Sequence, residues 1–199
     1  MDKIIRYFGA SPISLYLKTN DYNSIRLALL FAHLSPETLD IVVVNENDNS
    51  REWPLFKDRS LEIDNFYSLF EYINETHASA HLLGDDAHSR VYNRKTALAL
   101  DEMIKTMIAM HEVGESDILS NLLNNFIKQT RILLGDQKWF GGDKYSIIDA
   151  MLSSFYFFMP ALGVDYNVLS IHIKNYIEAN IPEQFFISKM NRNNKLWSL

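Results

Sequence analysis

The 199-residue sequence contains no cysteine. Disulfides, thiolate metal sites and a cysteine nucleophile are therefore all excluded. It has no excess of basic charge either, with 19 Lys and Arg against 25 Asp and Glu, a net charge of −6. No global field attracts nucleic acid, so direct nucleic-acid binding is not expected, whereas an acidic surface suits a basic patch on a protein partner. The opening stretch, "MDKIIRYFGASPISLYLK", lacks the continuous apolar core and small-residue cleavage site of a signal peptide. It is also too short to span a bilayer, which takes roughly 20 apolar residues. A cytoplasmic protein without membrane association is the expectation. Internal repeats, low-complexity tracts, a Gly-rich phosphate loop and a nucleophile elbow are missing as well.

What is present is core material. Hydrophobic residues make up 47% of the chain and aromatics 13%, enough for a substantial folded interior. "ISLYL" (13–17) is β-branched and aromatic and predicts a strand. "SIRLALLFAHL" (24–34) has helical spacing, with Ser24 as the expected N-cap and Ser35-Pro36 as its stop. "LDIVVV" (39–44) predicts a second strand, continuously apolar as befits one covered on both faces. "WPLFKDRSLEI" (53–63) predicts a hairpin about a Lys57-Asp58-Arg59 turn. "DNFYSLFEYINET" (64–76) predicts a helix capped by Asp64, with Phe66, Leu69, Phe70 and Ile73 on one side. The order is βαβ followed by ββα, a small layer with one mixed sheet.

From about residue 88 the periods are helical throughout, including the stretches around 170–180 and 183–193, and no strand signal remains. The expected division is an α/β domain over 1–80 and a helical domain over 81–199. One helix of the second part is apolar nearly all round, "KYSIIDAMLSSFYFFMPALGVD" (144–165), and opens on a single carboxylate. Ser146 and Asp149 have the spacing of a capping box, which assigns Asp149 to architecture and makes this the buried central helix. His77, His81 and His88, with Asp85 and Asp86, match no defined metal spacing, so no metal site is expected. Met103, Met107 and Met110 recur at helical spacing and read as a core or interface stripe. His111 sits before Gly114, where a helix C-terminus favours it.

A βαβ–ββα layer followed by a bundle whose buried helix opens on aromatic-Ser-x-x-Asp resembles the glutathione S-transferase superfamily over most of the chain. The implied fold is α+β: a thioredoxin-like N-terminal layer and an all-helical C-terminal bundle. Within that superfamily, "TNDYNSIRLALLFAHLSPETLDIVVVNENDN" and "KYSIIDAMLSSFYFFMPALGVDY" are most similar to the stringent starvation protein A family, whose members associate with bacterial RNA polymerase. The resemblance places Pro54 at the cis-proline before the third strand. It places Thr19 at the catalytic Ser or Cys, with Tyr16 and Tyr22 as nearby phenols. Asn65-Phe66 falls at the Glu/Gln-Ser pair that holds the γ-glutamyl end of glutathione. Thr19, Pro54, Asn65 and Phe66 thus form the implied vestige of a glutathione site, with no catalytic residue assigned and glutathione the only cofactor in question. Between "NEND" and Pro54 the layer's second helix is expected to be shortened or absent.

The implied partner is RNA polymerase or its sigma factor. A homodimer, or a heterodimer with a related protein, would form through residues 66–72 and 91–110. The family's polymerase-binding surface is a Pro-His-Pro-like stretch near the domain linker. "HASAH" stands there in this chain, so His77, Ser79 and His81 are the implied contacts, with Ala78 and Ala80 in place of the prolines.

Overall fold

A computed structural model describes residues 13–18, 21–34, 39–44, 50, 53–76, 81–164 and 173–176. The chain divides into two compact units, Met1–Leu82 with Ile181–Leu199, and Leu83–Asn180.

In the first unit, β1 (Ile13–Lys18) leads to α1 (Tyr22–Leu34) and β2 (Leu39–Val44). The hairpin β3 (Leu55–Asp58) and β4 (Leu61–Ile63) follows, then α2 (Phe66–Thr76). The strand order is β2-β1-β3-β4, with β1 parallel to β2 and antiparallel to β3. Alternation along β1 is complete: Ile13, Leu15 and Leu17 are buried, while Ser14, Tyr16 and Lys18 are half-buried on the opposite face. Tyr16 therefore belongs to the more open face. On the covered face, Phe56 of β3 meets Phe31 of α1, with ring centroids 5.4 Å apart, and Tyr72 of α2 at 5.8 Å. The Tyr72 hydroxyl donates to Asp58 Oδ2 at 2.7 Å, tying α2 to β3. That bond and burial, burial foremost, push the Tyr72 hydroxyl up to about 12. Fully burying one such aromatic contributes roughly 1.5–3 kcal/mol.

Three local expectations shift. The first helix starts at Tyr22 and its cap is Asp21, whose Oδ2 accepts from the Ser24 backbone N–H at 2.7 Å. Ser24 is already inside the helix, and its hydroxyl has another use, described below. The second helix starts at Phe66, and Asn65 rather than Asp64 caps it, its Oδ1 accepting from Ser68 N–H at 3.0 Å. In both cases a short polar side chain at the preceding position bonds the N–H three residues on, which is the N-cap geometry. The hairpin turns at Arg59-Ser60, with Lys57 and Asp58 still paired in β3 and Arg59 in the left-handed region at φ 57°.

The second unit contains α3 (Ala87–Glu112), α4 (Ser116–Leu134), α5 (Ile147–Phe158) and a 3-10 turn (Met159–Leu162). A further helical turn covers residues 173–176. Helix α5 is the central one, buried at every position except Phe157, as its apolar circumference predicts. Phe126 of α4 packs edge-on against Phe155, with centroids 4.8 Å apart. The Thr130 and Tyr156 hydroxyls hydrogen-bond to one another inside this contact. Met107 is buried on α3, with Met103 and Met110 half-buried beside it. The expected helix at 183–193 and most of the segment between 45 and Pro54 lie outside the described residues. Among the described residues, no helix is long and apolar enough to cross a membrane.

The Ser146–Asp149 capping box is present, and it is larger than its spacing implies. Asp149 Oδ2 accepts from Ser146 N at 2.9 Å and Ser146 Oγ at 2.8 Å. It also receives Gly141 N at 3.2 Å, while Oδ1 takes Phe140 N at 2.7 Å and the Tyr176 hydroxyl at 2.8 Å. The side chain is fully buried. Burial raises its carboxyl above the ordinary value, against the pull of those donors.

Candidate functional site

The candidate site belongs to the first unit, where the C-terminal end of β1 and the N-terminal ends of α1, β3 and α2 supply its residues. The turn from β1 into α1 is pinned from both sides. Lys18 N donates to Ser24 Oγ at 2.9 Å, so the last residue of the strand is bonded to the first turn of the helix. Asp21 closes the same turn through Ser24 N. Only residues 19 and 20 separate the two anchors, and Thr19 itself lies outside the described residues. Burial raises the Asp21 carboxyl, with the Ser24 hydrogen bonds and the charges of Lys18 and Arg26 acting the other way.

Trp53-Pro54 is a cis peptide at the head of β3, where the resemblance places one. Pro54 is buried and Trp53 half-buried. The Trp53 ring stacks on Tyr16 at a centroid separation of 6.5 Å, and Lys57 Nζ stands 5.1 Å from the Tyr16 ring. Lys57 is held in turn by Glu62, 2.5 Å away.

At the head of α2, the acceptor oxygen of Asn65 is already bonded and Phe66 has no hydroxyl, unlike a Glu/Gln-Ser pair. The Asn65 oxygen is committed to the helix cap, accepting from both the N–H and the hydroxyl of Ser68. Phe66 is buried with its ring against Arg26, whose guanidinium carbon lies 3.5 Å from the ring centroid. Phe70 meets the Phe66 ring edge-on, with centroids 4.6 Å apart. Arg26 is only 4% exposed and its Nη2 donates to Asn23 Oδ1 at 2.8 Å. Tyr22 adds a second ring 5.3 Å from the guanidinium. A buried guanidinium over an aromatic face, hydrogen-bonded at its rim, is a cation–π arrangement strengthened by desolvation. Arg26 was not among the residues singled out by sequence reasoning. Its one signal was a lone charge inside the apolar run "SIRLALL".

Of the linker residues, His77 and Ser79 lie outside the described residues. His81 is half-buried with a left-handed backbone, φ 46°. Asp85 pairs with Lys144 at 2.7 Å, and Asp86 caps α3 by accepting from Ser89 N at 2.8 Å. Among the described residues, no cluster of three His, Asp or Glu side chains is arranged to hold a metal ion.

No family model and no curated protein matches this sequence. Solved structures do. A glutathione S-transferase from Methylobacterium radiotolerans, in complex with glutathione sulfonate, aligns with a TM-score of 0.71 at 13% identity, over 89% of this chain and 94% of that one. One from Pichia kudriavzevii aligns at 0.65 and 17% identity, over 91% and 96%. Glutathione transferase E6 from Drosophila melanogaster aligns at 0.69 and 14% identity, over 90% and 91%. With the mixed sheet, the cis proline and the capped central helix already in place, these alignments show that the chain has the glutathione S-transferase fold.

Proposed function

We propose that this protein is a non-catalytic regulator on a transferase fold, one that binds bacterial RNA polymerase or its sigma factor in the manner of stringent starvation protein A. The supporting observation is the state of Asn65 and Phe66. In a glutathione enzyme the corresponding pair holds the γ-glutamyl end of the ligand. Here the Asn65 oxygen serves the helix cap and Phe66 is packed under Arg26. Each charged ligand group left unpaired costs about 1–3 kcal/mol. Two such losses move a micromolar affinity to about millimolar. With that site given over to packing, the remaining function is recognition of a protein by the surface.

The test pairs two titrations. Purified RNA polymerase, with and without sigma factor, is immobilised and the protein passed over it, alongside a His77→Ala, Ser79→Ala, His81→Ala triple variant. Saturable binding that the triple variant weakens is the expected result. Glutathione titrated by calorimetry is expected to give no binding tighter than millimolar.

A glutathione-dependent enzyme is the second reading, favoured by the transferases of like fold, one of them in complex with glutathione sulfonate. Glutathione binding well below millimolar that is lost on Thr19→Ala, with no polymerase binding, replaces the first reading by this one.

A further inference from the structure

The chain passes between its two units twice, after Leu82 and after Asn180. Contacts inside the second unit tie the residues beside both passages to one loop, residues 139–146, which leads into α5.

The turn at 173–176 precedes the second passage. Its Tyr176 is buried, and the hydroxyl donates to Asp149 Oδ1 at 2.8 Å. The Tyr176 ring stands edge-on to Phe140, with centroids 4.8 Å apart, and to Trp139 at 6.4 Å. The same carboxylate accepts from Phe140 N, Gly141 N and Ser146 N, so loop and turn share one acceptor. The loop is also closed on itself. Gly142 N donates to the Trp139 carbonyl at 3.0 Å, and Trp139 meets Tyr145 edge-on at 5.3 Å. At Gly141 the packing is so close that a Cβ would stand 2.5 Å from Ser146 Oγ. Such a loop has little room to shift unless several bonds break together.

Beside the first passage, Leu83 is buried and its carbonyl accepts from Asn93 Nδ2 at 3.1 Å. Two residues on, Asp85 Oδ2 pairs with Lys144 Nζ at 2.7 Å. Lys144 belongs to the loop and directly precedes Tyr145 and Ser146. The two grips differ in kind. Tyr176 is held by a buried, charge-assisted hydrogen bond, which is strong. The Lys144–Asp85 pair is more than half exposed on both sides, so it is weak and screened by salt.

We infer that loop 139–146 and the residues beside the two passages form one cooperative opening unit, in which a disturbance at either passage reaches the other through Asp149 and Lys144. Coupling between the loop and Tyr176 is strong and insensitive to salt. Coupling onward to Asp85 is weak and tunable by salt. This device is independent of the reading of Asn65 and Phe66.

Hydrogen exchange of the full chain, followed by mass spectrometry, tests it. Tyr176→Phe keeps the ring and removes the hydroxyl. It is expected to speed exchange about tenfold in peptides covering 173–176 and 139–146. At low salt it should also speed 83–90 by about twofold to fivefold. In about 0.5 M salt the response at 83–90 should vanish while the other two persist. Lys144→Ala, at an exposed position, is expected to speed 83–90 and 139–146 by about twofold to fivefold at low salt. The buried positions of α4 serve as the unchanged reference. Acceleration confined to 173–176 overturns the inference, as does equal acceleration everywhere, α4 included. So does a response at 83–90 that salt leaves intact. Should Tyr176→Phe fail to fold, Lys144→Ala decides alone, and exchange unchanged at 139–146 overturns the inference.

Discussion

Helices α2 and α5 both begin with a polar side chain folded back on its own first turn, yet the two starts have opposite consequences. At the head of α5, Asp149 is fully buried and gathers donors from Phe140, Gly141, Ser146 and Tyr176. One carboxylate thereby stitches a loop, a helix and a later turn into a single core. At the head of α2, Asn65 caps at an exposed position, and its energetic share is small. Its oxygen is engaged by Ser68, and the next residue is an aromatic ring facing Arg26. The same local device is structural in one unit because it is buried. In the other it is exposed, at the position where the resemblance places a ligand's anchor.

The contrast can be broken most sharply at Asp149. Asp149→Ala leaves buried N–H and O–H donors unpaired, and urea unfolding at neutral pH is expected to show a loss of about 3–5 kcal/mol. A loss no larger than that of an exposed cap would remove the distinction between the two helix starts. Phe66→Ala comes next, at about 3 kcal/mol, the lower end for a buried phenylalanine because the residue sits at a helix end. If Phe66→Ser folds and still binds no glutathione, the ring is not what closes the site. Asn65→Ala is expected to cost only about 1 kcal/mol and Asn65→Gly a few tenths, measured in the same way.

The smallest effect is a pH dependence. Burial raises the Asp149 carboxyl above 3.8 in the folded state, so the folded protein binds that proton more tightly than the unfolded chain. The contribution is fully present below the unfolded value and is lost as pH rises through the folded one. The stability of wild type relative to Asp149→Asn should therefore fall as pH is raised from about 3.8 through the folded value. A rise over that window would show that the five hydrogen bonds outweigh burial.

Much of this architecture is written locally. The alternation of "ISLYLK" marks a strand with one covered face, and Ser146-x-x-Asp149 marks the start of a buried helix. Both signals depend on neighbours within about four residues, which is why sequence alone reveals them. Where nearby residues compete for one role, as Ser24 with Asp21 or Asp64 with Asn65, sequence places the helix start within a residue or three but does not pick the cap. Backbone geometry makes that choice. The fate of the candidate site depends on a longer range. Arg26 and Phe66 are forty positions apart, and nothing in either neighbourhood says that they touch. Only packing α1 and α2 on the same sheet brings the guanidinium over the ring, and with it decides that these two side chains face each other.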